Sequence, residues 1–228
     1  IIRIESDSVE IIGFTVQNGQ GEYNYDNGTT GGVIEVFGMG GGIVLENILF
    51  LEPGETNIGS LVFTYSSNTI VDHCTFADSS VSALFTFGGK FSVSNSIFLV
   101  PSENLMQGLN NEDTISFSLL YPWDFNYHQG TYTNTCILNQ NPLFCDAENG
   151  DYTLAENSPA VGAGENGSNI GALGIGCGII NQVFHVATTG SDETGNGSEI
   201  NPFATIQKAY NYSTEINNYH TTGHVDTI

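Results

Sequence analysis

The chain has 228 residues, enough for one sizeable hydrophobic core or a core with a smaller appendage. Its 25 acidic residues face three basic ones, Arg3, Lys90 and Lys208, for a net charge of −22. Phosphate neutralisation needs several Lys or Arg, so the charge argues against nucleic acid and an anionic membrane surface as partners. The same charge suits salty or calcium-rich water outside a cell, where cations screen self-repulsion.

Glycine is abundant at 28 residues and Asn is frequent, a composition of many tight turns rather than long helices. No apolar run is long enough to span a bilayer. The opening "IIRIESDS" is already strand-like, so the chain reads as part of a longer protein.

In chain order, short apolar segments recur in pairs. "IIRIE" (1–5) precedes "IIGFTV" (11–16), and a polar loop, "QNGQGEYNYDNGTTGG", follows at 17–32. "VIEVF" (33–37) precedes "LENILF" (45–50), with a second loop over about 51–60. Then come "LVFTY" (61–65) with "VDHCTF" (71–76), "ALFTF" (83–87) with "VSNSIF" (93–98), and "LMQGL" (105–109) with "ISFSLL" (115–120). The last three pairs repeat every 22 residues. Such a unit cannot bury its own apolar face, but stacked copies can. Short β segments joined by Gly, Asn and Ser turns predict an all-β solenoid with coils spaced about 4.8 Å apart.

The pattern resembles the right-handed parallel β-helix of the pectin-lyase-like superfamily, in its secreted surface type. That resemblance implies three short strands per coil and an Asn ladder at one turn. Asn47 and Asn95 match the ladder; Gly13, His73 and Phe117 depart from it. "VDHCTF" is similar to a pectate-lyase stretch in which the Asp helps bind calcium, which makes Asp72 the candidate metal ligand. That family also uses Arg and Lys, and only Lys90 is near these coils, so Asp72, His73 and Cys74 are read as structural positions of the repeat. Cys74 is expected to share an inward column with Ile48, Ser96 and Ser118, and Asp72 an outward one with Glu46 and Ser94.

The side-chain period of two assigns the faces of the first strand column. Burying Arg3 and Glu35 unpaired would cost several kcal/mol, so their column, with Phe63, Phe85 and Gln107, is expected to face outward. Ile2, Ile34, Val62, Leu84 and Met106 then face inward. Phe37, Phe63, Tyr65, Phe85 and Phe87 form an apolar outer strip, a candidate surface for sugar rings or another subunit. A loop such as "YPWDFNYHQGTY" (121–132) lying across it is the alternative.

"NPLFCDAENGDYTLAENSPAVGAGENGSNIGALGIG" (141–176) resembles the segment that ends many secreted β-helix proteins, which implies a cover for the exposed strand edges of the last coil. Among Cys74, Cys136, Cys145 and Cys177, a Cys136–Cys145 or Cys145–Cys177 disulfide fits an extracellular protein. Residues 183–213 resemble the beginning of such proteins, with Asn201 as helix cap, Pro202 at the first helical position, and Phe203, Ile206 and Tyr210 on one face.

The expected organisation is β-helix coils over 1–120, a closing segment over 121–180, and the start of a following unit over 181–228. No catalytic set is apparent. The function expected is therefore a non-catalytic extracellular module of a surface, adhesive or filament-forming protein, with other copies of itself or adjoining β-helix units as partners. The alternative is a polysaccharide lyase or glycoside hydrolase acting on an extracellular glycan, with calcium as its one conceivable ion.

Overall fold

A computed structural model of the chain describes residues 2–5, 9–16, 32–37, 42–51, 60–65, 67–77, 82–99, 106–107, 112–121, 131–180, 183–195, 197 and 201–217. The chain divides into two units, Ile1–Cys177 and Gly178–Ile228.

The first unit winds through β1 (Ile2–Ile4), β2 (Val9–Ile12), β3 (Thr15–Val16), β4 (Gly32–Phe37), β5 (Gly42–Glu46) and β6 (Leu49–Phe50). It continues with β7 (Ser60–Tyr65), β8 (Asn68–Asp72), β9 (Thr75–Ala77), β10 (Ser82–Phe87), β11 (Lys90–Ser94) and β12 (Ile97–Leu99). Then follow β13 (Met106–Gln107), β14 (Thr114–Ser116), β15 (Leu119–Tyr121), β16 (Thr131–Tyr132) and β17 (Ile137–Leu138). Every third strand pairs in parallel with the one a coil away. The sheet orders are β1-β4-β7-β10-β13, β16-β14-β11-β8-β5-β2 and β17-β15-β12-β9-β6-β3. This is a parallel β-solenoid with coils near 22 residues.

Register follows the apolar columns of the sequence. Ile11, Leu45, Val71, Val93 and Ile115 are successive Cα partners in the second sheet. Ile2, Ile34, Val62, Leu84 and Met106 are successive partners in the first. Ile34, Val62 and Leu84 are fully buried, as expected of the inward column.

In the third sheet Phe50, Phe76 and Phe98 stack with ring centroids 4.6 and 4.7 Å apart and nearly parallel planes. These rings, with Leu120 above them, are fully buried in the main core. Burying each contributes roughly 1.5–3 kcal/mol.

One residue makes the corner between the second and third sheets. Gly13, Asn47, His73, Asn95 and Phe117 all adopt left-handed backbone, with φ of 77°, 54°, 48°, 48° and 46°. Gly and Asn enter that region most readily, which is why they recur here. The ladder of the sequence is therefore a ladder of backbone conformation, and His73 and Phe117 belong to it despite their side chains.

The outer face of the third sheet is apolar too. Leu49, Ala77, Ile97 and Leu119 lie on it and are buried, which explains why "NILF", "SIFL" and "SLLY" read as unbroken apolar runs. Residues 141–177 cover that face. They form β18 (Phe144–Asp146), β19 (Asp151–Ala155) and β20 (Ile175–Cys177), a separate three-stranded sheet with β19 central. Leu154, Ala160 and Ile170 pack on Ile97 and Leu119, and Tyr152 packs on Leu49 and Ala77. The contacts made by the described residues of this segment thus lie along the flank of the solenoid, whereas the resemblance implies a cover on the last coil. An apolar outer face on the third sheet is what holds it there.

The second unit, described by itself, is small. Val186 bridges Phe203 in parallel, with the Phe203 N–H donating to the His185 carbonyl and the Ala187 N–H to that of Phe203. This extended pairing delays the helix, so α1 runs Ile206–Asn217. Its cap is Thr205, whose Oγ accepts the Lys208 N–H at 3.1 Å. Asn201, the expected cap, instead donates from its side chain to the Thr194 carbonyl at 2.9 Å. Asp192 secures the approach, accepting the Ala204 and Thr205 N–H groups at 2.8 and 2.9 Å.

The packed face also differs from the expected one. Phe184, Phe203 and Tyr212 form a ring cluster with centroids 5.2–6.2 Å apart. In the helix Ala209 is buried, while Ile206 and Tyr210 are exposed.

Candidate functional site

The outer strip on the first sheet is in register, Phe63 beside Phe85 and Tyr65 beside Phe87, with Phe37 beside Tyr65. The Phe63 and Phe85 rings stack at 5.6 Å. Phe63 is only 3% exposed, however, and Phe85 is half-buried, while Tyr65 is 46% exposed. The side chains of Phe37 and Phe87 lie outside the described set, as do residues 122–130 of the aromatic segment expected to cross the strip.

The richer polar constellation is at the corner where β8 ends. Asp72 closes the strand, His73 makes the left-handed turn, and Cys74 points into the core. Glu46, Asp72, Ser94 and Ser116 are successive register partners, the outward column the repeat predicts.

Inside the corner, Ser96, Ser118 and Cys74 form a buried spine. The Ser96 hydroxyl accepts the Cys74 N–H at 3.1 Å and donates to the Ser94 carbonyl at 2.7 Å. Ser118 repeats this one coil on, accepting the Ser96 N–H at 3.1 Å and donating to the Ser116 carbonyl at 2.8 Å. Thiols stand at either side: Cys74 donates to the Asp72 carbonyl at 3.3 Å, as the serines do to theirs, and Cys136 donates to the Ile115 carbonyl of the preceding coil at 3.5 Å. Burial pushes the Cys74 thiol up to about 12 and raises that of Cys136. Neither is a reactive thiol. Cys136, a disulfide candidate from the sequence, is free; the bridge joins Cys145 to Cys177.

Outside the corner, Asp72 is the hub. Its Oδ1 accepts the Ser94 hydroxyl at 2.7 Å and the Asn95 amide at 2.8 Å, and its Oδ2 meets His73 Nδ1 at 2.9 Å. Burial disfavours the carboxylate, but the hydrogen bonds from Ser94, Asn95 and His73 and the His73 charge outweigh it, so the carboxyl sits below its ordinary range. An ionised carboxylate only accepts, so His73 Nδ1 carries a proton. In the neutral ring Nε2 is then an acceptor. Opposite it, at 3.3 Å, is the hydroxyl of Ser168 in the covering segment.

The covering segment is tied down all along this corner. The Glu165 N–H donates to the Asn95 side-chain oxygen at 2.7 Å, and the Ala172 N–H to the Thr75 hydroxyl at 2.9 Å. Gly164 has no room for a Cβ, which would stand 2.5 Å from Ser168 Oγ. Nothing local in the sequence links residue 168 to 72 and 73; the contact spans 95 residues.

The oxygens of Asp72 are engaged by these three donors, and among the described residues no group of three His, Cys, Asp or Glu is gathered to hold a metal. Among the described residues, the donor set at Asp72 does not fit a calcium ion, which takes six to eight oxygen ligands. Compared with protein-family models, with curated proteins and with solved structures, the chain matches none.

Proposed function

We propose that this chain is a section of an extracellular β-helix protein of the pectin-lyase-like superfamily, of the surface, adhesive or filament-forming kind, whose role is contact with further β-helix units. The carrying observation is the exposure of three large apolar residues in the second unit. Val183 is 70% exposed, Ile206 78% and Tyr210 53%, on a protein of net charge −22. Large apolar residues exposed on a small unit suit cover by a partner. The cover that suits it is another copy of this chain or an adjoining β-helix unit.

Strong like charge between copies makes association salt-dependent, weak at low ionic strength and strengthened as ions, calcium included, screen the acids. Tyr65, exposed at the end of β7, is a minor second surface of the kind that contacts a sugar.

Light scattering and negative-stain electron microscopy of the whole chain test the reading. Dimers or fibres should grow with protein and salt concentration and be lost in Ile206→Glu with Tyr210→Glu. A wild-type chain that stays monomeric at high concentration in molar salt would sink it.

A further inference from the structure

We propose that Asp72, His73 and Ser168 form a hydrolytic triad that cleaves carboxylic esters of uncharged alcohols. The activity needs no second copy of the chain and stands apart from the association proposed above. The geometry is a relay in one direction. Asp72 Oδ2 holds His73 Nδ1 at 2.9 Å, and His73 Nε2 faces Ser168 Oγ at 3.3 Å. A nucleophile within reach of a base, itself oriented by a third group, is the signature of an activated hydroxyl. Asp72 is a positioning residue. Held by Ser94 and Asn95, it stays ionised and keeps the Nε2 lone pair pointed at Ser168.

Docking alone does not require this arrangement. One coil on, at the same corner, Asn95 docks the covering segment by accepting the Glu165 N–H. His73 instead places an imidazole on a left-handed backbone that the same column gives to Gly13, Asn47, Asn95 and Phe117, none of which carries a base. The group is also reachable, since the His73 and Asp72 side chains are 26% and 27% exposed and Ser168 is half-buried. Uncharged esters are the class that fits, because the acids of this chain repel anionic ones.

In the reaction Ser168 Oγ attacks the acyl carbon while its proton passes to His73 Nε2. The tetrahedral adduct collapses, the acyl–oxygen bond breaks, and the leaving alcohol takes that proton. Water then attacks the acyl-serine, His73 again accepting a proton and returning it to Ser168. A carboxylic acid is released and the site is restored.

The test uses the whole chain with a fluorophosphonate probe, located by peptide mass spectrometry, and with p-nitrophenyl acetate. Ser168 should be the labelled residue, and Ser168→Ala should remove both the label and the hydrolysis. His73→Asn is the decisive variant. Asn suits the left-handed corner, as Asn47 and Asn95 show, so the fold should persist by circular dichroism while labelling and hydrolysis fall at least about 100-fold. A wild-type chain unlabelled at Ser168, or a folded His73→Asn chain labelled as fast as wild type, overturns the proposal.

Discussion

Removing one ring from the phenylalanine stack tests whether the coils share a single core. Phe76 lies between Phe50 and Phe98, with centroids 4.6 and 4.7 Å away, and all three are fully buried. Phe76→Ala deletes the ring without a neighbour free to fill the space, because the stack sits between rigid rungs. Phe→Ala in cores costs about 3–5 kcal/mol. Contact with two rings, each pair worth about 0.5–1.5 kcal/mol beyond burial, places this site toward the top of that range.

Guanidinium unfolding followed by tryptophan-independent far-UV circular dichroism measures the loss as a lower midpoint at unchanged slope. The double variant Phe76→Ala with Phe98→Ala should lose less than the sum of the singles, the shortfall giving the coupling. A loss under about 1 kcal/mol for Phe76→Ala would refute the stacked core, since no fully buried Phe leaves so cheaply.

The Cys145–Cys177 bridge closes a separation of 32 residues, so Cys145→Ala with Cys177→Ala should lower stability by about 3.7 kcal/mol on the chain-entropy relation, read by the same titration with and without reductant. Gly171 sits at φ +100°, and a Cβ there would meet Ile97 Cδ1 at 2.6 Å. Gly171→Ala should therefore lift the covering segment and speed amide exchange at Ala172 while Val93 stays protected. Asp72 has its carboxyl held low in the folded chain. Its contribution is thus present above the ordinary Asp value of about 3.9 and is lost as pH falls through the folded value. Wild type should lose melting temperature more steeply than Asp72→Asn below about pH 4, and parallel curves would remove that assignment.

The columns were legible in the sequence because two periodicities coincide. Val71, Val93 and Ile115 recur at a constant 22 residues, and alternation within each strand says which neighbours go in with them. The disulfide was narrowed to two pairings but not chosen, since sequence spacing does not reveal which Cα atoms approach. Ser168 was not foreseen, because its neighbours are set by packing of the covering segment on Ile97 and Leu119. The helix start was misplaced by four residues: Asn201-Pro202 has the chemistry of a cap, but Phe203 is claimed by a β-bridge to Val186, and backbone pairing overrides the local signal. His73 and Phe117 departed from the ladder by residue type yet kept its backbone.

The flank position of residues 141–177 has a mechanical consequence. Because Tyr152, Leu154, Ala160 and Ile170 grip side chains from several rungs at once, a pull that would peel one coil must strip the whole splint. Tension along the axis is spread over many rungs instead of falling on the weakest, and the Cys145–Cys177 crosslink keeps the splint itself from unravelling under the same load.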